Sequence, residues 1–393
     1  MILSITNDVL VTELNKIGVH PASVEIFKKR AVIEPIKIFN MRMPAANILK
    51  QEAISAGADC AIHCGCVTGC IEYSDVLLLG SRKQYEELLR KLKPMTFFGL
   101  PELCDQLKEF LLPKSPQTVL ADGRTLDYSS LSVMGIVNLT KDSFYKASCK
   151  GDLDEILATV EEMLLAGAEV IDLGAESTRP GAQPLSSEME CEQLLPAIAT
   201  IKKEFPQSVI SVDTYRAQTA RQAIESGADI INDISAAADP DMIPLIAKSK
   251  IPIIIMHFGG DPQTMTPSMP PEKIDEVWNY LGERKEALNA GGITNDKIIL
   301  DPGFGFGKTM ELNLMLANRL KELTSFGLPV LLGASRKGTI RNVLELHPDD
   351  DRLMGTIALS CQAAIAGAQM VRVHDVKENI QAIRMMEAVR KCR

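Results

Sequence analysis

From about Ser132 onward the chain alternates short apolar runs with longer stretches in which apolar residues recur every three or four positions. Eight runs read as strands: VMGIVNLT (133–140), EVIDLGAE (169–176), SVISVDT (208–214), DIINDIS (229–235), PIIIMHF (252–258), KIILD (297–301), PVLLGAS (329–335) and QMVRVHDV (369–376). Helix-length segments such as DLDEILATVEEMLLAG and DRLMGTIALSCQAAIAG lie between them. Several close on a glycine, namely Gly167, Gly227 and Gly367, which suits a helix C-terminus and is followed each time by Ala and the next strand. Consecutive βα units imply parallel strands, and eight of them close most economically into a (β/α)8 barrel with its reactive groups at the C-terminal strand ends. An open doubly wound sheet is the alternative.

Ahead of the first strand, TVLADGRTLDYSS places two β-like pieces around Asp122-Gly123, a hairpin that would cover the bottom of the barrel. The stretch LPKSPQT (112–118), with two prolines among polar residues, marks a domain boundary. Residues 117–393 then form the barrel, and residues 1–112 form a mixed α/β domain too short for a second one. In that domain ISAGADCAIHC repeats the helix, Gly-Ala, strand pattern at Gly57.

Composition narrows the picture. At 393 residues the chain fits two domains, and 46% hydrophobic with 24% charged residues is the balance of a soluble globular protein. A net charge of −9 argues against a surface for nucleic acid, so any anion site must be a local cluster. The N-terminus MILSITNDVL has no basic lead-in, and no apolar run approaches the roughly 20 residues of a membrane span. Nine cysteines, an odd number, read as reduced thiols of a cytosolic protein. Of these, HCGCVTGC places His63, Cys64, Cys66 and Cys70 close enough to suggest zinc, but the C-x-C-x3-C spacing misses the usual C-x2-C pair. Burial of such thiols as small hydrophobes is the plainer reading.

One motif invites a false start. DPGFGFGKT (301–309) ends like a phosphate-binding loop, yet the position five before the Gly of Gly-Lys-Thr is Pro302, so the spacing fails. The strand KIILD instead delivers a carboxylate, Asp301, to the barrel mouth. The other predicted strand ends carry Asn138, the loop Glu176 to Gly181, Asp213, Asn232, His257, Ser335-Arg336-Lys337, and Arg372 with His374. Arg372 and His374 are two apart on one strand and so share a face. Arg179, Arg336, Lys337, Arg372 and His374 are expected to converge on a strongly anionic group. Asn138 with Asp142 and Ser143 offers oxygen ligands but no carboxylate cage, which suits a magnesium ion bound mainly through substrate phosphate.

Taken together, MGIVNLTKDSF, ESTRPGAQPLSSEME, SVDTYRAQTARQA, INDISA, IMHFGGDPQTM, DPGFGFGK, GASRKG and VRVHDVKENI closely resemble the dihydropteroate synthases, over residues 118–391 and in the expected order. The resemblance implies a (β/α)8 barrel that joins p-aminobenzoate to hydroxymethyl-dihydropterin diphosphate, with release of pyrophosphate, in folate synthesis. By motif, Asp213, Asn232, Asp301 and Lys337 would hold the pterin. Asn138 would position Mg2+ and pyrophosphate, and Arg179, Arg372 and His374 would bind the diphosphate. Thr178, Pro180, Phe306 and Ser335 would shape the p-aminobenzoate site, and Asn138, Asp213, Lys337, Arg372 and His374 would carry the catalysis. The family also implies a homodimer. One departure stands out: Lys141 replaces a proline usual in the first loop, which implies altered loop mobility without a change of reaction. The rival readings are a pterin-binding methyltransferase, which has no use for the diphosphate-binding cations, and a non-catalytic pterin-binding protein.

Overall fold

The structure, a computed structural model, describes residues 2–3, 5–112, 115–139, 150–175, 185–259 and 268–392, without the side chains of 150–152. The chain divides into two compact units, Met1–Lys114 with Cys392–Arg393, and Ser115–Lys391.

The first unit is α/β. Its strands Ile33–Arg42, Asp59–Ile62 and Tyr73–Ser81 form an antiparallel sheet with the third in the middle. Helices Met43–Ser55, Arg82–Leu92 and Leu100–Leu111 bury Leu49, Leu88, Leu92 and Leu100 with Val76 and Leu78 of the sheet. Ser81 and Gln84 close a capping box at the start of the second of these helices, satisfying backbone N–H groups that the helix cannot.

The second unit is the barrel. Its strands are β1 Ser132–Asn138, β2 Val170–Gly174, β3 Val209–Asp213, β4 Ile230–Asp233, β5 Ile253–Met256, β6 Ile298–Asp301, β7 Leu331–Leu332 and β8 Met370–Val373. They pair in parallel in the order β6-β5-β4-β3-β2-β1-β8-β7. A parallel bridge from Leu300 to Val330 joins the two ends, so all eight predicted strands are present and the sheet closes. Gly367 takes φ +85° as the cap of helix Leu353–Ala366, the left-handed conformation its place in the sequence implies.

Strand parity sorts the side chains. Met134, Val170, Val209, Ile230, Ile254, Ile299, Leu331 and Met370 point inward and pack as one cluster with Leu120 and Leu126. The last two belong to the hairpin of Thr118–Val119 and Thr125–Leu126, Leu120 directly after its first strand and Leu126 in its second, and the hairpin therefore plugs the bottom of the barrel. Outward residues such as Ile171, Ile210, Ile255 and Val371 pack in the larger core that contains the helix residues. Two residues further along each strand, the inward positions become Ile136, Asp172, Ser211, Asn232, Met256, Asp301, Gly333 and Arg372. Apolar filling below and polar groups above is what turns a packed barrel into a mouth.

Candidate active site

Arg372 sits at the centre of this mouth. Its Nε donates to Asp172 Oδ2 at 2.6 Å and its Nη2 to Asp213 Oδ2 at 2.9 Å. The parallel register explains the meeting: β1 lies between β8 and β2, so Arg372 reaches across it, and β3 pairs Asp213 with Gly174. Gly174 has no side chain to fill that space, and a Cβ there would lie 3.6 Å from the Asp213 Cβ and 3.8 Å from Asn138 Oδ1. Asn138 and Asp213 thus flank one gap at the top of the barrel.

Asn232 donates from Nδ2 to Asp172 Oδ2 at 3.3 Å. Burial raises the Asp213 carboxyl to about 7; Asp172 and Glu190 push the same way and Arg372 and Lys337 oppose. Asp301 is also raised by burial, while its Oδ1 accepts the backbone N–H of Gly303 at 2.7 Å. Lys337 is pushed down to about 8, first by burial and then by Arg372. Its ammonium lies 3.7 Å from the centroid of the Phe306 ring, a cation–π contact.

Ser335 and His374 form a second pair. The Ser335 Oγ accepts the His374 backbone N–H at 3.2 Å and lies 2.9 Å from Nδ1. A hydroxyl has one donor and two acceptor sites, so this contact forms with either neutral tautomer of the ring. Burial and the neighbouring Arg372 lower His374 to about 4, so the ring is neutral near pH 7. His374 is therefore a neutral ring rather than the positive charge expected from the sequence.

The loop after β6 answers the phosphate-loop question. Lys308 is buried and its ammonium donates to the carbonyls of His257 at 3.0 Å, Gly303 at 2.8 Å and Phe306 at 3.1 Å. It staples its own loop. The loop lies directly on the backbone after β5, where a Cβ at Gly307 (φ +66°) would sit 1.2 Å from the Gly259 carbonyl oxygen.

Two expected groups are elsewhere. Arg336 is exposed, at φ +55°, and is paired with Asp375 through Nε and Nη2, so it adds no free cation to the mouth. His257 follows the inward Met256 and so turns outward, where its ring meets Tyr280 edge-on at 5.1 Å. Thr178, Arg179 and Pro180, with Lys141, Asp142 and Ser143, lie outside the described residues. In the first unit His63 Nδ1 accepts the Gly65 N–H, Cys66 is buried, and Cys64 and Cys70 are exposed thiols. Among the described residues no three His, Cys, Asp or Glu side chains are grouped to hold a metal ion.

Sequence reasoning missed Asp172. The available signal was an aspartate inside an otherwise apolar strand at the inward parity, two residues beyond Val170.

A family model described as "Pterin binding enzyme" matches residues 134–374. The "Dihydropteroate synthase" of Escherichia coli (strain K12) is 40% identical over 274 residues, covering 69% of this chain and 95% of that protein. The "Bifunctional dihydropteroate synthase/dihydropteroate reductase" of Helicobacter pylori (strain ATCC 700392 / 26695) is 33% identical over 385 residues, 97% of each chain. Its match includes the N-terminal unit. Among solved structures, the Xanthomonas albilineans dihydropteroate synthase with 4-aminobenzoic acid superimposes with a TM-score of 0.66 at 34% identity, over 71% of this chain and 100% of that one.

Proposed function

The chain belongs to the dihydropteroate synthases among the pterin-binding enzymes, and on that premise we propose how its barrel mouth carries the reaction. The enzyme condenses p-aminobenzoate with 6-hydroxymethyl-7,8-dihydropterin diphosphate, giving 7,8-dihydropteroate and pyrophosphate in folate biosynthesis. The observation that carries the site assignment is the convergence of Asp213, Asn232, Asp301, Lys337, Arg372 and His374 on one mouth above an apolar floor.

In this reading Asp213, Asn232, Asp301 and Lys337 hold the pterin. Asp301 keeps Oδ2 for the adjacent N–H donors of the 2-amino-4-oxo edge, since Oδ1 is taken by Gly303. The bond from the pterin methylene carbon to the diphosphate oxygen breaks first and its electron pair leaves with the diphosphate. Arg372, His374 and Arg179 stabilise that charge. The aromatic amine of p-aminobenzoate then attacks the pterin cation and loses its proton to solvent. Thr178, Pro180, Phe306 and Ser335 shape the p-aminobenzoate side, where Phe306 supplies an apolar wall and Ser335 also sets the His374 ring.

A magnesium ion fits this donor set, which offers the neutral amide oxygen of Asn138 and no carboxylate trio among the described residues. Held by Asn138 and substrate phosphate, it would supply charge neutralisation to the leaving group. Helix Leu353–Ala366 exposes Met354, Ala358 and Ile365 on one side, which supports a homodimer formed through the barrel wall. Among the described residues no helix is long and apolar enough to cross a membrane, and the free thiols suit a cytosolic setting. The test of the function is pyrophosphate release that requires both substrates; release with the pterin diphosphate alone, or methyl transfer from a folate, would contradict it.

One observation supports a second activity. The Helicobacter pylori relative, named for a dihydropteroate reductase as well, matches over 97% of both chains. We propose that this chain also reduces its product, the N-terminal unit being required. A chain starting at Gln117 is expected to fold and keep synthase turnover while losing nicotinamide- or flavin-dependent reduction of dihydropteroate. A full-length chain without such reduction would remove this second activity, and an inactive fragment would show that the barrel needs the first unit.

A further inference from the structure

We infer that Asp172 is a positioning residue, a buried carboxylate that aims the diphosphate-binding Arg372 and the pterin-binding Asn232. The inference rests on the site assignment above. Asp172 has no exposed surface, and its Oδ2 receives both Arg372 Nε at 2.6 Å and Asn232 Nδ2 at 3.3 Å. Among the described residues its Oδ1 is buried without a hydrogen-bond partner, as is the Oγ of Ser211, its register partner on β3. Two donors on one oxygen and none on the other is a poor way to satisfy a carboxylate, and a good way to fix two neighbours.

The chemistry of those neighbours sets the consequence. A carboxylate only accepts, so the Asn232 amide must present its NH2 to Asp172, which leaves its Oδ1 to receive a donor from the ring. Arg372 spends Nε on Asp172 and Nη2 on Asp213, and its planar fork then has one permitted orientation, with Nη1 left for phosphate oxygen. Asp172 touches neither substrate in this arrangement. It decides which atoms of its neighbours do.

Removing its charge while keeping its shape has a separable effect. Asp213 is faced by Asp172, Arg372, Glu190 and Lys337, and loss of the Asp172 charge makes Asp213 easier to ionise.

The experiment measures pyrophosphate release by the full-length chain and its Asp172→Asn and Asp172→Ala variants across pH, with Tm recorded for each. Asp172→Asn keeps the acceptor oxygen, so kcat/KM for the pterin diphosphate at pH 8 is expected within about threefold of the unmodified enzyme, with the acid limb moved to lower pH. Asp172→Ala loses the anchor, and kcat/KM for the pterin diphosphate is expected to fall about 10- to 150-fold with the KM for p-aminobenzoate little changed. An unmoved acid limb in Asp172→Asn, or an alanine variant that matches the unmodified enzyme, would overturn the inference. If Asp172→Ala does not fold, the Asp172→Asn limb alone decides. An unmodified chain with no turnover would instead overturn the function on which the inference rests.

Discussion

The Lys337 ammonium lies 3.7 Å from the centroid of the Phe306 ring, so the residue assigned to the pterin also covers the wall assigned to p-aminobenzoate. The first substrate to bind must therefore share Lys337 with the second. Its lowered pKa of about 8 limits this contact to the protonated form. Asp213, raised to about 7, limits the other side, because its ionised form makes the stronger, charge-assisted hydrogen bonds to pterin donors.

A narrow bell follows for kcat/KM of the pterin diphosphate, rising through about pH 7 and falling above about pH 8. Lys337→Arg should bind more weakly but lack the basic limb. For the unliganded protein the signs differ. A carboxyl raised in the folded state is worth less as pH rises from about 4 to 7, because the unfolded chain ionises first. A lysine lowered in the folded state makes stability rise with pH from about 8 to 10.5. Tm and kcat/KM measured over the same pH range would separate the two.

His374 gives the cleaner probe of the diphosphate side. Replacing Arg372 by Ala would leave the buried Asp172 without its cationic partner, at a cost of about 3–5 kcal/mol, and so would damage the pterin side as well. His374→Ala removes one donor to an ionised phosphate, about 1.5–3 kcal/mol, and should weaken pyrophosphate binding about 12- to 150-fold with the affinity for a pterin lacking phosphate unchanged. Calorimetry with each ligand checks this, and equal losses for both would place His374 outside the diphosphate site.

Much of the barrel is written in the chain as short, near-continuous apolar runs, the pattern of parallel strands buried on both faces, and the alternation in VRVH makes the pair Arg372 and His374 legible. Strand parity also explains what was not. His257 stands one residue past an inward Met256, so the pleat carries it away from the mouth to Tyr280. PVLLGAS reads as seven residues of strand, but only Val330–Leu332 pair, because Gly333 and the turn at Arg336 leave the ladder early. Arg336 was counted among the site cations because sequence cannot show that Asp375 would claim it. The spacing around Lys308 excludes a phosphate-binding loop, but only the structure reveals that three carbonyls occupy its ammonium.

Lys308→Met should therefore cost stability rather than nucleotide binding. Unpairing the carbonyls it serves is expected to destabilise the protein by about 1–3 kcal/mol, read as a lower Tm, and to raise the KM for p-aminobenzoate through the loosened Phe306 loop. A variant with unchanged Tm would contradict the staple.

The account stands most directly on Asp301 as the reader of the pterin edge. The decisive measurement is calorimetric titration of the full-length enzyme and its Asp301→Asn variant with the pterin, and with ATP as the control. Replacing an acceptor oxygen by a donor and removing the charge forfeits two charge-assisted hydrogen bonds of roughly 1.5–3 kcal/mol each. The predicted result is a pterin affinity about two to four powers of ten weaker in the variant, with no heat from ATP in either protein. A variant that binds the pterin within about threefold of the unmodified enzyme, or an unmodified enzyme that binds ATP, would contradict it.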